Sequence, residues 1–237
     1  MKRKAVLIGN TSGLQGVQVD ITRFATFLKS DSGGAWYESE IDILENERKT
    51  SLLQKIDALK KQSFDYLVVM FSGHGGQLRQ TILEINGQGE TIEETALRQI
   101  ANRQLNIYDC CRAFPTTMKK SAMESLSASF AESANRTRQR YDDRVMQAIP
   151  QQALLYSCSI GQVSYDTADG GVYLTNLLKA ARNIPYDQQF KLVGLAHQES
   201  VAPTTENSMK ERQGRQIPEA VLPKCLSSQQ LVISMKA

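Results

Sequence analysis

The residues able to do chemistry sit at the ends of two apolar runs. Val68-Val69-Met70-Phe71 leads into Ser72-Gly73-His74-Gly75-Gly76, and Leu105-Asn106-Ile107-Tyr108 leads into Asp109-Cys110-Cys111-Arg112-Ala113, with 37 residues from His74 to Cys111. A thiol attacks a carbonyl as its thiolate, and an isolated cysteine is mostly protonated at neutral pH. An imidazole beside it takes the proton or remains as the counterion of the thiolate. If the two runs are neighbouring strands, His74 meets a cysteine of the 110–111 pair just beyond their ends. The attacked carbonyl becomes an oxyanion that needs two donors, of which the nucleophile's own amide is the usual one. Gly75 has no Cβ, so its amide can approach a substrate as the other. This pairing predicts thiol chemistry on peptide bonds. The second histidine of the chain, His197, lies in a helical context without glycine neighbours and is read as structural. Buried and inert is the commonest condition of a free cysteine. One of Cys110 and Cys111 is read that way, and so are Cys158 and Cys225.

The elements that must hold these groups alternate. Strands are predicted at Lys4–Gly9, Ile41–Leu44, Asp65–Phe71, Leu105–Asp109 and Ala153–Cys158. Helices are predicted over Val17–Lys29, from Thr50 as N-cap through Leu59, and over Ile92–Ile100, Gly171–Arg182 and Leu192–Ser200. Gln80–Ile85 followed by Asn86-Gly87 reads as a small hairpin. Leu231–Met235 reads as a final strand at the sheet edge. Such alternation implies an α/β fold, with a mostly parallel central sheet and helices on both faces. Active sites in such sheets lie beyond the carboxyl ends of the strands, where His74 and Cys111 fall. From 116 to 152 the chain turns polar and basic, with Arg136, Arg138, Arg140 and Arg144 and no strong apolar stripe. It reads as an exposed insertion. The 237 residues are taken as one domain, comprising residues 1–115, the basic linker 116–152 and residues 153–237.

Composition excludes several other classes. The chain is 41% hydrophobic and 22% charged, with a net charge of +3 from 28 basic and 25 acidic residues. That is ordinary for a globular protein and too weakly basic to predict a nucleic-acid partner. No apolar run approaches a membrane span. Ala5–Gly9, after Met-Lys-Arg-Lys, is too short for a signal-peptide core, so a cytoplasmic location is expected. The four cysteines lack zinc-ligand spacing and the density of a disulfide scaffold. No metal site, and no cofactor for the chemistry, is predicted.

The two motifs resemble those of the caspase and metacaspase cysteine peptidases, in a compact prokaryotic-type form. Ser72-Gly73-His74-Gly75 is similar to the family's histidine motif, and Asp109-Cys110-Cys111-Arg112-Ala113 to its cysteine motif. The likeness includes Val19-Asp20-Ile21 and Leu155-Tyr156-Ser157-Cys158-Ser159, and covers most of residues 4–182. It implies a three-layer fold, His74 as base and Cys111 as nucleophile, with Cys110 in a small buried position. One departure is Phe114, where the family tends to keep a glycine nearby.

Aspartate-directed members line their primary pocket with two arginines and a glutamine. The corresponding positions here carry Leu14, Asp109 and Asp166, with Asp169 as the nearest rival to Asp166. A pocket with carboxylates in place of cations favours Arg or Lys and repels Asp. Asp20 resembles a family position near the pocket, although a carboxylate near a helix N-terminus can also be purely structural. The resemblance therefore implies protein or peptide substrates cleaved after Arg or Lys. It also implies a zymogen activated by cleavage within Thr116–Arg144, by the protein itself or by a partner protease. A role in stress or antiviral cell death follows by analogy only. Calcium activation is known in the family, but no EF-hand pattern is present. Two other readings stay open. One is a catalytically inactive interaction module of the same fold. The other is a nucleotide-binding domain built on Gly9-Asn10-Thr11-Ser12-Gly13-Leu14-Gln15-Gly16, whose spacing departs from the dinucleotide fingerprint.

Overall fold

A computed structural model describes residues 1–114, 135–210 and 214–236. Five apolar segments form the parallel part of the main sheet: β1 (Arg3–Gly9), β2 (Ile41–Glu45), β3 (Tyr66–Ser72), β7 (Arg103–Asp109) and β8 (Gln151–Tyr156). Their order is β2-β1-β3-β7-β8, and β12 (Glu219–Val221) closes the β8 edge antiparallel. The antiparallel edge strand is therefore present, but Leu231–Met235 does not supply it. Instead β13 (Val232–Met235) pairs with β11 (Phe190–Leu192) in a separate two-stranded sheet.

Period-two alternation splits the strand side chains between two cores. Ala5, Leu7, Val68, Met70, Leu105 and Ile107 face one side. There they pack with α1 (Gly16–Lys29), α3 (Asn135–Gln147), α4 (Val172–Arg182) and the start of α5 (Val193–Lys210). Val6, Ile8, Leu67, Val69 and Phe71 face the other side, against α2 (Lys49–Lys60). Also on that side is a three-stranded antiparallel sheet of β4 (Gly75–Gln77), β5 (Thr81–Glu84) and β6 (Thr91–Glu93). The result is three layers, as expected. Among the described residues no helix is long and apolar enough to cross a membrane.

Three local expectations are corrected. Ile92–Ile100 is not an α-helix: residues 91–93 pair with β5, and Glu94–Leu97 form a 3₁₀ turn. Ile92, Leu97 and Ile100 are buried all the same, so their spacing satisfies a strand and a tight turn equally well. Arg48, not Thr50, is the N-cap of α2, and no side chain caps it. The third correction concerns the basic insertion. Its described part, from 135 onward, is α3 and the start of β8, with Tyr141, Val145 and Ala148 fully buried. Arg138 pairs with Glu40 and stacks on Tyr37, while Arg144 stacks on Phe190 and donates to the carbonyl of Ser227. These two arginines set their guanidinium groups over aromatic rings and pack against the fold, whereas Arg136 and Arg140 are exposed. Residues 116–134 of the expected cleavage stretch lie outside the described residues.

Candidate active site

β3 and β7 are hydrogen-bonded neighbours, with Ser72 opposite Asp109 and the amide of Gly73 donating to the carbonyl of Asp109 at 3.2 Å. His74 and Cys111 each lie two residues beyond that last pair, at matching register past the carboxyl ends of adjacent parallel strands. Cys110 is fully buried in the α2-side core. Cys111 lies 6% exposed at the rim, and His74 is half-buried. The Cys111 thiol rests on one residue of the facing loop: the Ser164 amide donates to its Sγ at 3.4 Å, and its Sγ–H points to the Ser164 carbonyl at 3.5 Å. The neighbouring thiol of Cys158 is pushed up to about 12, by burial first and then by the charge of Cys111, so it stays a thiol at neutral pH.

Gly75 runs against the cysteine turn. A Cβ there would lie 2.8 Å from Cys110 Sγ and 2.9 Å from the carbonyl oxygen of Cys111. Gly75→Ala is therefore expected to push the nucleophile's backbone away. It should lower kcat/KM for a peptide substrate about 10²-fold, the order of effect of a 1 Å misplacement of reacting groups. Circular dichroism and peptide kinetics on the purified variant check it. A variant with near wild-type kcat/KM would show that the turn tolerates the methyl.

Arg112 turns to the opposite side. It pairs with Glu219 at 2.8 Å, donates to Thr81 Oγ1 and the Cys158 carbonyl, and stacks 4.1 Å over the ring of Tyr156. Its own amide and carbonyl bond to Gln162 and Gly161. The cysteine turn is thus fastened to the loop after β8 on both sides. Phe114 leaves that turn 53% exposed without disturbing it.

The three aspartates singled out in the sequence come together, all at least 98% buried. Asp109 accepts from Ser164 Oγ at 2.7 Å and from the amide of Leu174, in the first turn of α4, at 3.0 Å. Asp166 accepts from the amide of Gly16, the first residue of α1, at 3.1 Å. Asp20 accepts from Ser72 Oγ at 2.7 Å and the amide of Gly171 at 2.9 Å. Two helix N-termini, each with partial positive charge, thus face the cluster and offset part of its cost. The remainder appears at Asp20. Its carboxyl is held well above the usual carboxylate range, by burial first and then by the charges of Asp109 and Asp166, against the hydrogen bond from Ser72. Asp169 stands apart, exposed and paired with Arg23.

The sequence reading missed what surrounds these acids. Gly16, Gly171 and Gly170 press their backbones against Asp166, Asp109 and Asp20 respectively, and a Cβ on any of them would overlap the carboxylate. Gly16, the last glycine of the stretch that invited a nucleotide reading, is thereby accounted for. The helix N-terminus that would receive a phosphate is already occupied by Asp166. His197 is structural, as read: its Nδ1 lies 2.8 Å from the hydroxyl of Tyr173, and burial lowers it to about 4.

Comparison with known proteins agrees with this fold. Caspase-1 of Spodoptera frugiperda superposes with a TM-score of 0.60 over 93% of this chain and 86% of its own, at 13% identity. A protein of Geobacter sulfurreducens superposes with a TM-score of 0.54 over 98% of this chain and all of its own, at 14% identity. These identities speak for the fold alone. No curated protein matches the chain in sequence. A family model described as the caspase domain matches residues 2–226, well past the point near residue 182 where the motif likeness fades. Matched by that model over nearly its whole length, the chain belongs to the caspase-domain family.

Proposed function

We propose that the protein is a cysteine endopeptidase that cleaves after Arg or Lys. Cys111 is the nucleophile and His74 its base. The amides of Gly75 and Cys111 receive the oxyanion, and Asp20, Asp109 and Asp166 receive the basic side chain. The observation that carries this reading is the register of β3 on β7, which brings a histidine turn and a cysteine turn to the same height beside three carboxylates. Thiolate chemistry needs reduced cysteine, which fits a cytoplasmic setting. Activation by cleavage within 116–144, by the protein or by another protease, completes the proposal. A second reading has support of its own. The helix amides held by Asp109 and Asp166 suit carboxylates that serve only as caps.

Fluorogenic peptides ending in Arg, Lys or Asp, assayed under reducing conditions with and without calcium, test the function. Turnover of the Arg and Lys peptides and neglect of the Asp peptide is the expected result. Asp-peptide turnover, or none at all, would reject it. A denaturing gel of the same protein tests processing: two fragments are expected for the wild type and an intact chain for Cys111→Ala. Cleavage that persists in Cys111→Ala would assign processing to another protease.

A further inference from the structure

Residues 164–166 form one wall of the site. The backbone of Ser164 touches the Cys111 thiol, its hydroxyl is committed to Asp109, and Asp166 is one of the three acids. These residues belong to an irregular loop, apart from the two-residue strand β9 (Asp166–Thr167), which pairs only with β10 (Gly170–Gly171). Something outside the loop must hold it.

That element is the segment after α5. Gln216 is 0% exposed, and every polar atom of its side chain is used. Its Nε2 donates to the carbonyl of Ser157 at 2.8 Å and to Ser164 Oγ at 3.2 Å, and its Oε1 accepts from the amide of Tyr165 at 3.1 Å. The amide orientation is forced, because flipping it would set Oε1 against a carbonyl and Nε2 against an N–H. The polarity of Ser164 is forced as well: its proton goes to Asp109, so it meets Gln216 as an acceptor. Gln216 is itself fixed from the α5 side, its amide donating to Ser208 Oγ and its carbonyl accepting from Thr205 Oγ1. Next to it, the amide of Ile217 donates to Gln162 Oε1 at 2.8 Å.

We infer that Gln216 is a positioning residue for substrate recognition: its side-chain amide clamps Ser164 and Tyr165 and, through the Ser164 hydroxyl, holds Asp109 in the pocket. The inference rests on the proposed peptidase function and extends it to a residue far from both motifs. Gln216 touches none of the reacting atoms. Its loss should therefore loosen substrate binding more than the chemical step.

The test compares wild type, Gln216→Met and Ser164→Ala with an Arg-ended peptide. Competent sites are counted by saturating labelling with a fluorescent arginyl chloromethyl ketone. Methionine keeps the volume and removes all three hydrogen bonds; Ser164→Ala removes only the hydroxyl between Gln216 and Asp109. Expected is a KM raised about tenfold or more in each, the effect of losing two or three buried hydrogen bonds. Expected too is a kcat per labelled site within about threefold of wild type. A merely structural role would lower the number of labelled sites and leave KM unchanged, and that result would overturn the inference. If Gln216→Met fails to fold, Ser164→Ala alone decides, and an unchanged KM in it overturns the inference. An active wild type with an unchanged KM in both variants defeats the inference alone. A wild type inert toward Arg peptides defeats the peptidase reading and the clamp with it.

Discussion

Cys111→Ala should abolish hydrolysis of Arg peptides, lowering kcat by about 10⁴-fold or more, while Cys110→Ala and Cys158→Ala leave a measurable enzyme. The contrast is the informative part, because three cysteines lie within one turn and one loop. Cys110 is packed into the α2-side core, and its truncation acts through volume. Cys158 is pushed up to about 12 by burial and the neighbouring thiolate, so it is not a nucleophile at neutral pH. Cys111 alone combines a place at the rim with the register of His74. His74→Ala should fall nearly as far, and the double variant no further, because a nucleophile and its base act as a unit. Kinetics of the five variants on one Arg peptide, with circular dichroism to confirm the fold, check the set. If Cys158→Ala were the inert variant and Cys111→Ala retained activity, the assignment of the nucleophile would be wrong.

The parts of this architecture that sequence reveals are those in which a residue's neighbours along the chain are also its physical context. β1 and β3 are buried on both faces and read as unbroken apolar runs, while β7, almost as buried, sets Gln104 and Asn106 among its apolar residues. The two motif turns follow directly from them. What escapes is set by contacts remote in sequence. Ile92, Leu97 and Ile100 carry a helix-like spacing, but pairing with β5 decides the structure of 91–93. α3 shows no apolar stripe because its buried face mixes Tyr141 and Val145 with Thr137 and Arg144, and guanidinium groups over aromatic rings complete the packing. β12 is an edge strand of exposed and half-buried residues and has no period to read. The resemblance puts Asp109 and Asp166 in one pocket, with Asp20 near it. That glycines and two helix N-termini would gather them into one cluster depends on the order of β1, β3 and β7 and on the return of α4 beside α1. Gln216, one of several glutamines after α5, carries no local signal at all.

The charge of that cluster, and not its hydrogen bonding, should determine specificity, and Asp→Asn substitutions separate the two. Asparagine keeps an acceptor oxygen for the amide of Leu174 in Asp109→Asn and for the amide of Gly16 in Asp166→Asn, so both helix caps survive. Each substitution removes a full negative charge from a site that is to hold a guanidinium. Losing one partner of a buried ion pair costs about 3–5 kcal/mol, so kcat/KM for an Arg peptide should fall about 10²- to 10⁴-fold. Asp20→Asn adds a test with the opposite sign in the free protein. Its carboxyl is raised in the folded state by burial and by Asp109 and Asp166. Below the ordinary carboxylate range it is protonated in both folded and unfolded chains and costs nothing. As pH climbs from there through the raised folded value, the unfolded chain ionises first and stability is lost. At neutral pH Asp20→Asn should therefore be more stable than wild type, an advantage that vanishes in acid. It should nonetheless bind Arg peptides more weakly, because a bound guanidinium favours the ionised carboxylate. For the same reason, KM for Arg peptides in the wild type should fall as pH rises. Thermal melts from acid to neutral pH, paired with Arg-peptide kinetics, measure both halves. Asn variants that keep full Arg-peptide activity would leave these carboxylates as caps for α1 and α4 and nothing more.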